Sequence, residues 1–181
     1  MRMLAAEVGC ATMTSYRYFR DKDELLAAVR ARAYDRFSES LETAARAPGD
    51  SRARATAMGE AYVAFAQANR EAYRLMFEMS SPHDAVRFPD LARAAARASD
   101  NMTGYVREMI DEGVLQGDPD LIGRMFWAAI HGVVQLEQNG ALPPGPGADV
   151  LRREMMRTLF IGLNSARSRA PAASARAAVK G

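Results

Sequence analysis

Between positions 12 and 22 the chain carries Thr12, Thr14, Ser15, Tyr16, Arg17, Tyr18 and Lys22, a close run of hydrogen-bonding side chains. Hydroxyls donate and accept, the guanidinium presents a fork of donors, and the ammonium is a compact positive charge. That chemistry suits recognition of a polar, negatively charged surface. Bond-making chemistry is another matter, because it needs an activated nucleophile, a paired acid and base, or a metal. No Ser/His/Asp or Cys/His set stands at a recognisable spacing, and there is no phosphate-binding glycine loop. Cys10, the one cysteine, follows Gly9 in a turn and reads as packing. The two histidines, His83 and His131, lie far apart with no cysteine cluster near either, so a zinc site of ordinary composition is not expected. The expectation is a protein that is not an enzyme and needs no cofactor or metal.

The elements that must position these side chains are helical. The sequence has 35 alanines against 20 valines, isoleucines and threonines together. Alanine loses no side-chain entropy in a helix, whereas β-branched residues are restricted there. No sustained apolar/polar alternation and no hairpin signal argues for strands, so the fold class is all-α. Basic and acidic residues number 24 and 22, which excludes a strongly polybasic protein but permits a local patch. No apolar run approaches the roughly 20 residues of a membrane-spanning helix. A single cysteine gives no disulfide framework and agrees with a reducing, cytoplasmic setting.

Along the chain, two short segments, 1–8 and 12–18, flank a turn at Gly9. Asp21 and Glu24 form an acidic capping box, with Glu24 reaching back over the start of a long helix that runs to about Arg46. Its buried side is expected to carry Leu25, Leu26, Val29, Ala33, Phe37 and Leu41. After a Pro-Gly break, helices are expected from Ser51 to about Asn69, from Arg70 to Met79, and from Pro89 to about Gln116. Gly117-Asp118-Pro119 is a stop, a cap and a start in succession. A helix to about residue 138 follows. Then comes a Pro/Gly loop, and a last helix from Asp149 to about Ser165 carries Leu151, Met155, Met156, Leu159, Phe160 and Leu163. The tail from Ala166 has no periodic apolar residue and is expected to be disordered. Its Arg167, Arg169, Arg176 and Lys180 are read as solvated.

Residues 4–26 resemble the helix-turn-helix of the tetracycline-repressor-like (TetR/AcrR) family of bacterial transcription regulators. Ala5, Ala6, Gly9, Thr14, Tyr16, Phe19, Lys22, Glu24 and Leu25 stand at that family's spacing. The resemblance implies a recognition helix lying in the DNA major groove, which is wide enough to admit one. Thr12, Thr14 and Ser15 would meet base edges or phosphates, and Tyr16 and Tyr18 would offer hydroxyls to the backbone. Arg17 would reach a guanine or a phosphate. Lys22 would anchor a phosphate, assisted by the N–H groups of the helix terminus. Departures are Ala11, where the family places Ser or Thr, and Ser15, where it places an apolar residue. The family also begins with a further helix packed across the motif, and this chain starts inside the second. Either the start codon is assigned late or the head has been lost. The intact motif favours the late start.

The Phe126-Trp127…His131-Gly132 segment is similar to the Trp…His-Gly stretch of one group of C-terminal domains in that family. The resemblance implies a homodimer built from residues about 118–138 and 149–165, and double-stranded operator DNA as the partner. Gly132 is expected to let another helix approach closely. The resemblance also implies a pocket for a small, apolar effector. Tyr62, Phe65, Tyr73, Met76, Phe77, Met102, Tyr105, Met109 and Phe126 are candidates for its lining, with His131 as a polar contact. A methionine and aromatic stripe at helical spacing is more often ordinary core, and His131 also suits a core or interface position. The domains expected are residues 1–46 as a helix-turn-helix region with its connecting helix, 47–165 as a larger helical bundle for effector and dimer, and 166–181 as tail. The function implied is a ligand-responsive repressor on an inverted-repeat operator. The alternative is a truncated dimeric small-molecule binder without DNA activity.

Overall fold

A computed structural model describes residues 19–78 and 84–167. Thr12, Thr14, Ser15, Tyr16, Arg17 and Tyr18 lie outside the described residues, as do Gly9, Cys10, Ala11, His83 and the tail beyond Arg167. The described residues form seven helices and no strand: α1 (Lys22–Ala45), α2 (Ser51–Ala68), α3 (Arg70–Glu78), α4 (Asp84–Arg87), α5 (Pro89–Asp111), α6 (Pro119–Gln138) and α7 (Ala148–Arg167). The all-α expectation holds. No helix among the described residues is long and apolar enough to cross a membrane.

The chain divides into two compact units, Met1–Pro48 with Thr56–Asn101, and Gly49–Ala55 with Met102–Gly181. In the first, α1 buries Leu26, Ala27, Arg30, Ala33, Tyr34, Phe37, Ser38 and Leu41, a single stripe at intervals of three and four. Leu25 and Val29, expected on that stripe, are half-buried at its margin, and Arg30 and Tyr34 occupy the inner positions instead. Helical phase decides this. Once Phe37 and Leu41 are central, positions 30 and 34 lie in line with them and 25 and 29 fall to one side. The α1 stripe packs against α3, and Tyr34 Oη donates to the Met76 carbonyl at 2.8 Å. Arg97 of α5 grips both oxygens of Glu42 at 2.7 Å and stands 3.4 Å from Asp35, while Arg36 donates to Asn69 at 2.9 Å. These pairings hold α1 in register along its length.

The second unit is centred on buried Val106, Met109, Leu115, Ile122 and Phe126, with Met156, Leu159, Phe160 and Leu163 of α7 against them. Here α5 ends at Asp111, short of the expected Gln116. Gly113 takes φ 72, the Val114 N–H bonds to the Met109 carbonyl at 2.8 Å and the Gly113 N–H to Ile110 at 2.9 Å. This pair of bonds is the Schellman closure that a left-handed glycine permits. Val114 and Leu115 continue the apolar pattern but belong to the turn, and Leu115 is driven from there into the core. The helix α6 starts as expected, its Asp118 cap accepting from the Asp120 N–H at 2.9 Å with Pro119 in the first turn. At the other end α7 runs from Ala148 to Arg167, two residues past Ser165 and into the stretch expected as tail.

Candidate functional site

Of the seven residues expected to face DNA, Lys22 is described. It is the first residue of α1 and is exposed. Asp21 caps the helix, one carboxylate oxygen accepting from the Glu24 N–H at 2.8 Å. Glu24 does reach back, but to the N–H of Arg20 at 2.6 Å rather than to that of the cap residue, and it also meets the Arg20 guanidinium at 3.2 Å. The box is therefore shifted outward by one residue. Arg87, the last residue of α4, adds a fork: one nitrogen lies 2.8 Å from Asp23 and the other 2.8 Å from the second oxygen of Asp21. Its guanidinium also stacks on Phe88, 4.9 Å from the ring centroid. The Glu24 N–H, foremost, and Arg87 hold the Asp21 carboxyl below its usual range, with the Asp23 N–H contributing. Helix N–H groups expected to assist a phosphate at this terminus are thus already engaged by the chain's own carboxylate.

Five of the expected effector contacts meet in the first unit. Phe37 stands edge-on to Tyr62 at 5.1 Å and to Phe65 at 5.2 Å, Tyr62 to Tyr73 at 5.9 Å, and Tyr73 to Phe77 at 5.0 Å. The Tyr62 and Tyr73 hydroxyls share a hydrogen bond of 2.7 Å. Such a chain of edge-to-face rings is a packed arrangement in which each ring fixes the next. Tyr62, Phe65, Tyr73 and Met76 are buried, whereas Phe77 is half-exposed. Burial, and then the pairing with Tyr62, push the Tyr73 phenol far above its ordinary value, so it remains a neutral hydrogen-bonding group. Tyr34, which closes the row against Phe77 at 6.0 Å, was not among the expected residues. Its i−3 spacing from Phe37 is the signal that marks it.

The other five, Met102, Tyr105, Met109, Phe126 and His131, lie in the second unit. Met109 and Phe126 are core, with Tyr105 packed against them and 6.4 Å from the Phe126 ring. Met102, Tyr105 and His131 are partly exposed. His131 stacks on Trp127, one helical turn away, at 5.6 Å, and burial lowers its pKa and favours the neutral imidazole. The close helix approach falls elsewhere than expected. A Cβ on Gly132 would meet no atom of the described chain within 4 Å, whereas one on Gly123 would stand 2.8 Å from Thr103 Cγ2 and 3.2 Å from the Met102 carbonyl oxygen. Gly123 is thus the residue that lets α5 and α6 touch. Leu121, Trp127 and Leu136 of α6 and Val150 and Ile161 of α7 are exposed, and no described α7 side chain is fully buried.

Residues 55–159 match the family model described as the tetracyclin repressor-like C-terminal domain, which is more than half of the chain. The chain belongs to the tetracycline-repressor-like family. Over 110 residues this TetR-like chain is 31% identical to the HTH-type transcriptional activator FasR of Mycolicibacterium smegmatis, covering 61% of this chain and 48% of FasR. It therefore spans about half the length of that curated relative. Among solved structures, a protein of unknown function from Rhodococcus sp. RHA1 is 30% identical with a TM-score of 0.72, over 90% of this chain and 83% of that one. The TetR family transcriptional regulator PfmR of Thermus thermophilus has the same fold at a TM-score of 0.64 and 20% identity, over 88% of this chain and 86% of that one. FasR and PfmR are both named as transcriptional regulators, and the TetR-like chain shares the fold of PfmR.

Proposed function

We propose that this chain is a DNA-binding transcriptional regulator, without catalytic activity, that works as a homodimer and answers to a small, largely apolar effector. The observation that carries the reading is the family match over residues 55–159, which joins the helix-turn-helix pattern of residues 4–26 in one chain. In this reading residues 1–46 read the operator. Thr12, Thr14, Ser15 and Arg17 face the groove, while Tyr16, Tyr18 and Lys22 hold phosphates. Residues 47–165 form the effector and dimer body.

The dimer is supported by the second unit. Exposed Leu121 and the open surface above Gly132, which share one side of α6, together with the half-covered apolar stripe of α7, leave more apolar surface than a lone chain needs. A second copy related by twofold symmetry covers it and sets two recognition helices one duplex turn apart. Of the ten effector candidates, Phe77 in the first unit and Met102, Tyr105 and His131 in the second are partly exposed, so within either unit by itself an effector reaches them without the core opening. Tyr62, Phe65, Tyr73 and Met76 then act as packed core behind Phe77 in the first unit, and Met109 and Phe126 behind the others in the second.

The test is a mobility-shift titration of the full chain on the DNA that precedes its own gene, beside sedimentation velocity. A dimer that retards this DNA is expected. A dimer that ignores it leaves the binding module without DNA activity, and a monomer that ignores it ends both readings. The sign of regulation is expected to be repression, although the FasR relative is named as an activator. A reporter driven by the same upstream DNA rises on deletion of the gene if the chain represses and falls if it activates.

A further inference from the structure

Three acids and three bases crowd the first turn of α1. Arg20 pairs with Glu24, and among the described residues Arg87 serves both Asp21 and Asp23, which flank Lys22 in sequence. The Arg87 side chain comes from α4, more than sixty residues along the chain, and the Phe88 ring beneath it orients the fork. With the fork closed, the charges at this terminus balance and Lys22 engages no ion pair among the described residues. With the fork open, two uncompensated carboxylates stand beside Lys22 and the terminus becomes net acidic.

We propose that Arg87 is a positioning residue for DNA binding: its fork screens Asp21 and Asp23, so that Lys22 can hold a phosphate, and α4 thereby controls the affinity of the α1 terminus for DNA. This rests on the DNA-binding reading above. Arginine suits the task because its planar fork meets two carboxylates at once, which a lysine ammonium does less well. The groups involved are all about half exposed, so the effect is modest in size and sensitive to salt.

The experiment measures binding of the full chain to two duplexes, the DNA preceding its own gene and a random sequence of equal length. Phosphate contacts dominate binding to the second and no operator need be known. Arg87→Gln is expected to weaken binding to both by about fivefold at low salt, with the difference shrinking as salt rises. Adding Asp21→Asn and Asp23→Asn, which keep the cap's hydrogen-bonding oxygen, is expected to restore most of the loss. Asp23→Asn alone, with Arg87 intact, is expected to tighten binding about twofold. If the wild type binds and Arg87→Gln binds equally well, or its loss persists after both carboxylates are neutralised, Arg87 has no such role. If the wild type binds neither duplex, the DNA-binding reading itself fails and takes this proposal with it.

Discussion

A methyl group added at Gly123, and separately at Gly132, tests how α6 is covered on its two sides. In a helix interior, glycine to alanine gains about 1 kcal/mol from the smaller loss of backbone freedom. At Gly123 the new carbon would lie 2.8 Å from Thr103 Cγ2 and 3.2 Å from both Met102 O and Thr103 Cα. Two of these atoms are backbone and the third is on a buried, β-branched side chain, so none can rotate away. Overpacking of this kind costs about 1–3 kcal/mol, which leaves Gly123→Ala less stable by about 1 kcal/mol. At Gly132 the described chain has no atom within 4 Å of the new carbon, and the propensity gain stands alone. The two variants should therefore differ by about 2 kcal/mol, or roughly thirtyfold in the folding equilibrium. Urea unfolding followed by helical circular dichroism, repeated over a range of protein concentrations, measures this. The dilute limit reports the separate chain. If Gly132→Ala falls below wild type there, or Gly123→Ala rises above it, the assignment of open and closed faces on α6 is wrong. In concentrated samples Gly132→Ala should weaken self-association, because the methyl then meets the second copy.

Trp127, the sole tryptophan, is exposed on α6, so its emission should shift to the red on dilution if copies bury it against one another, and stay constant if they never pair. Glu42→Gln tests the Arg97 grip. The side-chain hydrogen bond from Arg97, and next that from Asn101, hold the Glu42 carboxyl below the ordinary 4.5, so its contribution is fully present above that pH and is lost as pH falls through the lower, folded value. Melting temperatures measured from pH 7 into this acid range should therefore fall less for Glu42→Gln than for wild type, and a parallel fall would show that the pair adds nothing. Tyr73→Phe removes one partner of the buried hydroxyl pair and should cost about 1–2 kcal/mol by chemical unfolding. Tyr16→Ala and Lys22→Ala should weaken binding to every duplex alike and reduce its salt dependence, whereas Thr12→Ala and Arg17→Ala should change base preference in a panel of operators. Unchanged affinity in the first pair would remove them as phosphate anchors.

What could be read in the sequence was local. The Asp21 and Asp118 caps, the Pro119 start and the breaks after Ala45 and Ala68 are each written within a few residues, because caps and stops act over one helical turn. Where two local signals compete, the apolar pattern alone misplaces the helix end. Val114 and Leu115 extend the apolar period of α5, but Gly113 ends the helix and hands Leu115 to the core from a turn. The position of Glu24 was legible, yet its partner was not, since Arg20 lies just outside the box and offers both an N–H and a guanidinium. Gly123 and Gly132 look alike in sequence, and only the neighbour across the helix separates them. The forks of Arg87 and Arg97 join residues tens of positions apart, and nothing in spacing announces them. Arg30 and Tyr34 were hidden by type, because a charge and a phenol do not advertise burial.

The tethers on α1 have a mechanical outcome. Arg97 grips the helix at Glu42, near its far end, while Lys22 stands at the other. At about 1.5 Å per residue these points are about 30 Å apart, and the near one is tied in its turn, through Asp21 and Asp23, by the Arg87 fork. A rod pinned at both ends cannot bend to absorb a push, so a displacement of Arg97 beside Glu42 would arrive at the Arg87 fork as a shift of the whole helix.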